Sequence, residues 1–116
     1  DFTDCIHNLA NTASITAAFC KNNYNLLKDS LFDHIIEPRR AKLIPGFVNA
    51  KSAAIKAGAH SMTISGSGPT VFAITNNKQD AIKIEKGMHN AFNKNNIECT
   101  THITKSSNTG VIEIKD

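Results

Sequence analysis

Several residue types that carry recognisable chemistry are scarce in this chain of 116 residues. It has no tryptophan, one tyrosine and six phenylalanines, so it has few rings on which nucleic-acid bases could stack. Its net charge of +3 is mild, and its lysines are spread among acidic residues. A nucleic-acid-binding domain is expected to carry a concentrated basic face. The composition therefore argues against nucleic acid as a partner.

Signatures of metal sites and disulfide frameworks are also missing. The three cysteines, Cys5, Cys20 and Cys99, are odd in number and widely spaced, and no C-x-x-C occurs. The five histidines form no H-x-H or H-x-x-x-H pair, which are spacings typical of zinc ligands. We therefore expect reduced cysteines that behave as small apolar side chains, and no metal site formed by this chain.

No hydrophobic run approaches the roughly 18 residues that suggest a membrane-spanning helix. The chain starts Asp1-Phe2-Thr3-Asp4 rather than with methionine, and it does not start like a secretory signal. We therefore predict a cytoplasmic location, no membrane association, and a segment taken from the interior of a longer protein. The length suits a single domain over residues 1–116.

The order of apolar patterns predicts the fold class. Helical spacing predicts helices over residues 3–21, 25–32, 38–43, 47–57 and 78–94. Alternating polarity predicts strands over residues 61–65, 71–75, 97–103 and 111–114. Short connections between strands favour antiparallel pairing. The predicted fold is therefore α+β, with a four-stranded antiparallel sheet and helices packed on one face.

A run of small residues and turn formers, here called the glycine loop, separates the first two predicted strands. It consists of Ser65, Gly66, Ser67, Gly68, Pro69 and Thr70. Phosphate-binding glycine loops lead into a helix N-terminus, whereas a strand follows this one. One interpretation is a hairpin in which Gly66 and Gly68 adopt positive φ and Pro69 fixes the exit. The other is a loop that presents hydroxyls and N–H groups to a ligand, since a hairpin needs only about two or three turn residues. The residues alone leave both interpretations open.

The segment Glu37-Pro38-Arg39-Arg40 is the second candidate. Paired arginines are commonly solvated surface residues, but Pro38 stiffens this segment because its ring fixes φ. A guanidinium on a rigid mount can bind a carboxylate or phosphate through two parallel hydrogen bonds. The segment is therefore a candidate anion-binding site.

Together these segments resemble the C-terminal half of homoserine kinase, which belongs to the GHMP small-molecule kinases. The matching stretches are Asp33-x-Ile35-x-Glu37-Pro38-x-Arg40, Leu43-Ile44-Pro45-Gly46-Phe47, Gly58-Ala59 and Ile64-Ser65-Gly66-Ser67-Gly68-Pro69-Thr70-x-Phe72-Ala73. The glycine loop alone indicates a GHMP kinase, and its combination with the Glu-Pro-x-Arg segment points to homoserine kinase. Thr63 departs from the family pattern, since glycine is expected just before the loop, and we expect it to stiffen or shift the loop.

The resemblance implies a ferredoxin-like plait and transfer of the γ-phosphate of ATP to the hydroxyl of L-homoserine, a step in threonine biosynthesis. It assigns Arg40 to the substrate's carboxylate, Gly66 and Gly68 to substrate binding, and residues 65–70 to the active-site loop. Arg39 occupies a variable position and is expected on the surface. The resemblance assigns no catalytic residue to this chain.

The resemblance also implies partners and cofactors. ATP and Mg²⁺ would be held mainly by an N-terminal domain, which carries the family's phosphate loop and metal carboxylate, and a homodimer is suggested. Because that phosphate loop does not occur here, we predict that residues 1–116 are inactive alone. Three alternatives stay open: another GHMP kinase, such as a mevalonate-pathway or sugar kinase, a non-catalytic amino-acid-binding module, and a structural domain with a simple hairpin.

Overall fold

The computed structural model describes residues 1–114 of the chain. In this range the regular elements are α1 (Phe2–Cys20), α2 (Tyr24–Ser30), α3 (Glu37–Arg40), α4 (Phe47–Lys56), β1 (Ser61–Ile64), β2 (Val71–Ile74) and α5 (Lys78–Lys94). A short 3₁₀ helix, Ala41–Leu43, continues α3 toward α4. The helices predicted from hydrophobic spacing are confirmed, with small shifts at their ends.

Side-chain caps explain where the two longest helices begin. At the start of α1, Asp1 accepts a hydrogen bond from the N–H of Thr3 at 3.1 Å. At the start of α5, Asn77 accepts from the N–H groups of Gln79 and Asp80, at 2.8 and 3.2 Å. These caps satisfy N–H groups that have no acceptor inside the helix. The two caps therefore favour helix initiation at Phe2 and at Lys78.

The hydrophobic core lies between α4, α5 and one face of the sheet. Its buried members are Ile44, Phe47, Ala50, Ala54, Ala59, Met62, Ile84, Ala91 and Phe92. The alanines of α4 allow α5 to approach closely, since a Cβ built on Gly87 would lie 3.5 Å from the backbone oxygen of Ala53. The close approach of α4 and α5 therefore depends on small residues on both helices.

The two strands form an antiparallel hairpin whose faces differ. Met62 and Ile64 pack in the core with α4 and α5. The alternate side chains of β1 point to the other face, where Ser61 Oγ donates to the carbonyl of Leu31 at 3.1 Å. Helices therefore cover one face of the sheet, as expected, and the residues that follow α2 reach the other.

The prediction of a four-stranded sheet is wrong, because the described residues form two strands and residues 97–103 and 111–114 pair with neither. The alternation that suggested a third strand is nevertheless real. Ile97, Cys99 and Thr101 are half-buried while the residues between them are exposed, and Thr101 Oγ1 donates to Glu85 on α5. Alternating polarity determines which side faces the core, but a strand also needs a neighbouring backbone. This segment packs along α5 instead of beside a strand. The described residues therefore do not complete a ferredoxin-like plait.

Cys5, Leu9 and Ala13 lie on one side of α1, here called its apolar stripe, but α1 packs on α2 through a different side. Ala18 is buried, whereas Leu9 on the stripe is 67% exposed. Cys5 and Cys20 are free, as expected, but both are exposed, so they do not serve as apolar side chains of the core. The core forms around α4 and α5, and no described element covers this side of α1. Among residues 1–114, no helix combines the length and apolar character that crossing a membrane requires.

Asp33 connects the turn before α3 to α1 through hydrogen bonds. Its Oδ1 accepts from the N–H groups of Ile35 and Ile36, each at 2.8 Å, and from Asn8 Nδ2 at 2.9 Å. Asn8 in turn accepts from the N–H of His34 at 2.8 Å. Burial raises the pKa of Asp33, but the hydrogen bonds from the backbone and Asn8 together outweigh it, so the pKa lies below its usual value. The ionised carboxylate therefore stabilises the fold.

Gly87→Ala is expected to stabilise the protein. Alanine loses less backbone freedom than glycine in a helix interior, which contributes about 0.5–1 kcal/mol. The new Cβ would meet Ala53 at an ordinary contact distance of 3.5 Å. Urea unfolding should therefore give a higher free energy of unfolding, and Gly66→Ala should have the opposite effect because Gly66 has a φ of +57°. A destabilised Gly87→Ala variant would contradict the packing described for α4 and α5.

Asp33→Ala is expected to lower the free energy of unfolding by about 1–3 kcal/mol at neutral pH, because hydrogen bonds to a charged group are lost. The unfolded carboxyl has a pKa of about 3.9, and the folded value is lower. The stabilisation is therefore complete above the unfolded value and disappears as the pH falls through the folded value.

Urea unfolding of wild type and Asp33→Ala should therefore show a smaller difference at about pH 2 than at pH 7. Asp29→Ala, at an exposed aspartate on α2, serves as the matched control. A difference between wild type and Asp33→Ala that stays constant with pH would count against this role.

Candidate functional site

α3 presents two arginines in different surroundings. Pro38 lies in its first turn, where the missing N–H of proline costs no hydrogen bond. Arg39 is exposed, as expected, whereas Arg40 is half-buried. Arg40 Nε donates to the backbone carbonyl of Ser67 at 2.5 Å, across 27 positions of the sequence. The two segments that the sequence marks as candidates are therefore in contact.

The glycine loop is a closed turn, and its two glycines have different surroundings. The N–H of Ser65 donates to the carbonyl of Thr70 at 2.8 Å and closes the loop. Gly66 and Gly68 have φ of +57° and +76°, which confirms the predicted positive φ. A Cβ on Gly68 would lie 3.1 Å from Ile44 Cδ1, whereas a Cβ on Gly66 would meet nothing within 4 Å. Gly68 therefore lets the loop pack closely on Ile44, and Gly66 leaves the backbone open to approach.

Hydrogen-bond donors at the tip of the loop are available. Within residues 1–114, the N–H groups of Gly66 and Ser67 donate to no protein acceptor, and both residues are exposed. The terminal nitrogens of Arg40 also have no hydrogen-bond or ion-pair partner among the described residues. Consecutive N–H groups and a guanidinium all attract negative charge. This end of the sheet can therefore bind an anionic group such as a carboxylate or a phosphate.

Glu37, the first residue of α3, is buried between two partners, with 6% of its surface exposed. Thr63 Oγ1 donates to its Oε2 at 2.7 Å, and Lys51 Nζ from α4 pairs with its Oε1. Lys51 also lies over the rings of Phe32 and Phe47, 5.5 and 5.7 Å from their centroids. Lys51 therefore compensates the charge of a carboxylate that would otherwise be costly to bury.

Neither Lys51 nor the contact between Glu37 and Thr63 is predicted from the sequence. In the sequence, Thr63 stands out only because glycine is expected before the loop, and the effect of Thr63 on the loop stays a prediction. The structure gives this departure a role, because the hydroxyl satisfies a buried carboxylate oxygen. A signal for it exists, since Thr63 alternates with the apolar Met62 and Ile64 and so faces away from the core.

Two concave surfaces lie close to this network, and neither has Arg40 or the glycine loop in its described wall. A cavity of about 230 Å³ lies between α1 and the residues before α3, with Asp33 and Thr63 in its wall. A groove of about 770 Å³ lies between α3 and α4, with Pro38 and Lys51 in its wall. The donors at the loop tip therefore lie on an open surface of the described residues.

The chain is similar to known kinases. It matches the family described as GHMP kinases C terminal over residues 15–94. Homoserine kinase from Chlorobium phaeobacteroides (strain DSM 266) is 43% identical over 82 residues, which are 71% of this chain and 26% of that protein. Homoserine kinase from Moorella thermoacetica is 33% identical over 114 residues, which are 98% of this chain and 38% of that protein.

A solved structure agrees with these relatives. The crystal structure of homoserine kinase from Cytophaga hutchinsonii matches with a TM-score of 0.79 and 37% identity, over 81% of this chain and 30% of that chain. The chain thus spans about a quarter to two-fifths of the length of the relatives it matches. The family match covers more than half of the 116 residues and includes both α3 and the glycine loop. The chain therefore belongs to the GHMP kinase family and has the α+β fold of that family's C-terminal domain.

Proposed function

We propose that this chain is the substrate-side, C-terminal domain of an ATP-dependent homoserine kinase. The enzyme would transfer the γ-phosphate of ATP to the side-chain hydroxyl of L-homoserine, a step in threonine biosynthesis. The observation that carries the proposal is the hydrogen bond from Arg40 Nε to the Ser67 carbonyl, which brings a guanidinium to the edge of the glycine loop. Relatives named homoserine kinase at 30–43% identity support the choice of substrate.

In this proposal Arg40 binds the carboxylate of the substrate. A guanidinium carries its donors in a fixed fork that fits a carboxylate with two hydrogen bonds. The contact of Nε with Ser67 orients the fork, and its terminal nitrogens have no partner among residues 1–114. A lysine would supply the charge without this orientation.

The glycine loop would lie beside the transferred phosphate and the substrate. The open approach to Gly66 suits a ligand that comes close to backbone, and the N–H groups of Gly66 and Ser67 suit negative charge that develops there. Gly68 would contribute indirectly, because the absence of a Cβ lets the loop pack closely against Ile44. Ser65 and Thr70 would hold the ends of the loop together.

ATP and Mg²⁺ are the cofactors of the proposed enzyme, but residues 1–114 do not by themselves fit a site for either. The glycine loop leads into β2 rather than into a helix N-terminus. No group of carboxylates, histidines or cysteines among the described residues could hold a metal ion. Phosphoryl transfer depends on positioning the phosphates and neutralising their charge. An N-terminal kinase domain would supply both functions, and we assign no catalytic residue to this chain.

That N-terminal domain is the proposed partner within a longer protein, and the cytoplasm is the proposed location. The chain covers 26% and 38% of two homoserine kinases that it resembles. Phe2 and Leu9 on α1 are 80% and 67% exposed. Apolar side chains on one helix favour a contact surface, which an adjoining domain or the second subunit of a homodimer would cover.

Arg40→Gln in the full-length protein is expected to raise the KM for L-homoserine by roughly 10- to 100-fold, since hydrogen bonds to a charged group contribute about 1.5–3 kcal/mol. The KM for ATP should change little. Arg39→Gln, at the neighbouring exposed arginine, is the matched control. A coupled assay of ADP release measures both constants. An unchanged homoserine KM would show that Arg40 does not bind the substrate carboxylate. Turnover of a sugar or mevalonate in place of homoserine would indicate another GHMP kinase.

Residues 1–116 alone are expected to release no ADP above background when ATP and L-homoserine are supplied, because the phosphate site is assigned to another domain. Substantial turnover by this segment would refute that division. Calorimetric titration of the same segment with amino acids tests the alternative function. Tight binding without a partner domain would favour an amino-acid-binding module.

A further inference from the structure

Two polar contacts join α3 to the β1–β2 hairpin side by side. On α3, Glu37 and Arg40 lie about one helical turn apart. Their partners, Thr63 and Ser67, flank the point where β1 ends and the glycine loop begins. A constraint on the contact between Glu37 and Thr63 therefore also restricts where Arg40 can meet the loop.

The contact between Glu37 and Thr63 is the more firmly held of the two. Glu37 is 6% exposed, whereas Ser67 lies on the surface. A buried carboxylate oxygen that loses its donor is destabilised, so α3 favours the orientation in which the Thr63 hydroxyl reaches Oε2. Lys51 holds Oε1 from α4, and α4 is anchored in the core through Phe47.

We propose that Thr63 is a positioning residue whose hydroxyl, acting through Glu37, sets the orientation of α3 at which Arg40 meets the glycine loop. Lys51 supports the same orientation from α4. Thr63 contacts no substrate in this proposal. The expected effect on homoserine binding rests on the proposed function, whereas the effect on Arg40 rests only on the contacts described above.

The test compares two variants of the full-length protein. Thr63→Val removes the hydroxyl and keeps the β-branched shape, and Thr63→Ser keeps the hydroxyl. Thr63→Val should raise the KM for L-homoserine roughly tenfold, the size expected for one hydrogen bond to a charged group. The kcat and the KM for ATP should stay near wild type, and Thr63→Ser should restore the homoserine KM. A merely structural role would reduce the amount of active protein without changing the KM.

A second measurement follows Arg40 without substrate. In NMR spectra of protein with isotope-labelled arginine, the Arg40 Nε–H should exchange slowly with water because it donates to Ser67. The exchange should become several-fold faster in Thr63→Val and stay slow in Thr63→Ser. The signal is assigned by its absence from the spectrum of Arg40→Lys.

Each outcome decides the proposal. A faster exchange in Thr63→Val supports it, and a raised homoserine KM shows that the change reaches substrate binding. A faster exchange with an unchanged homoserine KM overturns the expected effect on binding. An unchanged exchange rate overturns the proposal, even if the KM rises, because the effect would not pass through Arg40. If Thr63→Val does not fold, Thr63→Ala carries the same measurements. If the wild type does not phosphorylate homoserine, the proposed function fails, and the exchange rate of the Arg40 Nε–H still decides whether Thr63 positions Arg40.

Discussion

Side chains along β1 alternate between two environments, and both the core and the candidate site depend on this alternation. Met62 is fully buried with α4 and α5, and the next residue, Thr63, faces the other side, where its hydroxyl reaches Glu37. A shift of one residue would exchange the two faces and leave both the core and the buried carboxylate without their partners. Hydrophobic burial on one side of the strand therefore determines, on its other side, where α3 and Arg40 lie.

The helices and the hairpin could be predicted because their signals are local. Asn77 caps α5 through N–H groups two and three residues away. Glycine tolerates positive φ at no steric cost, so the residue type alone indicates this conformation at Gly66 and Gly68. The number of strands among the described residues could not be predicted, because strand pairing depends on a distant backbone. Ile97 packs on the core in an alternating pattern, yet no described strand lies beside it. Whether the apolar stripe of α1 is covered likewise depends on residues outside that helix.

The candidate site could be predicted only in part. The resemblance to homoserine kinase, rather than periodicity or spacing, links Arg40 to the glycine loop, and the two are in contact. Lys51 gives no signal in the sequence, since a lysine on an amphipathic helix is ordinarily a solvated residue. Only the folded position of Glu37 shows that this lysine is one partner of a buried carboxylate. The polar network behind the site thus emerges from tertiary structure.

The groups around the glycine loop are suited to holding an anion. Arg40, Gly66 and Ser67 offer positive charge and N–H donors, and the described residues provide no phosphate-binding helix N-terminus after the loop. In the proposed function, this domain would orient a small amino acid, and another domain would deliver the phosphate and the metal ion. The proposed function therefore depends on one binding geometry, in which the loop holds Arg40 and the terminal nitrogens of Arg40 face the substrate carboxylate.

The position of a bound amino acid would decide whether this geometry is correct. A crystal structure of the full-length protein with L-homoserine should place the substrate carboxylate within about 3 Å of the terminal nitrogens of Arg40. Arg40 Nε should still donate to Ser67, and the substrate hydroxyl should face the opening beside Gly66. Homoserine bound elsewhere, with Arg40 directed into solvent, would contradict the account.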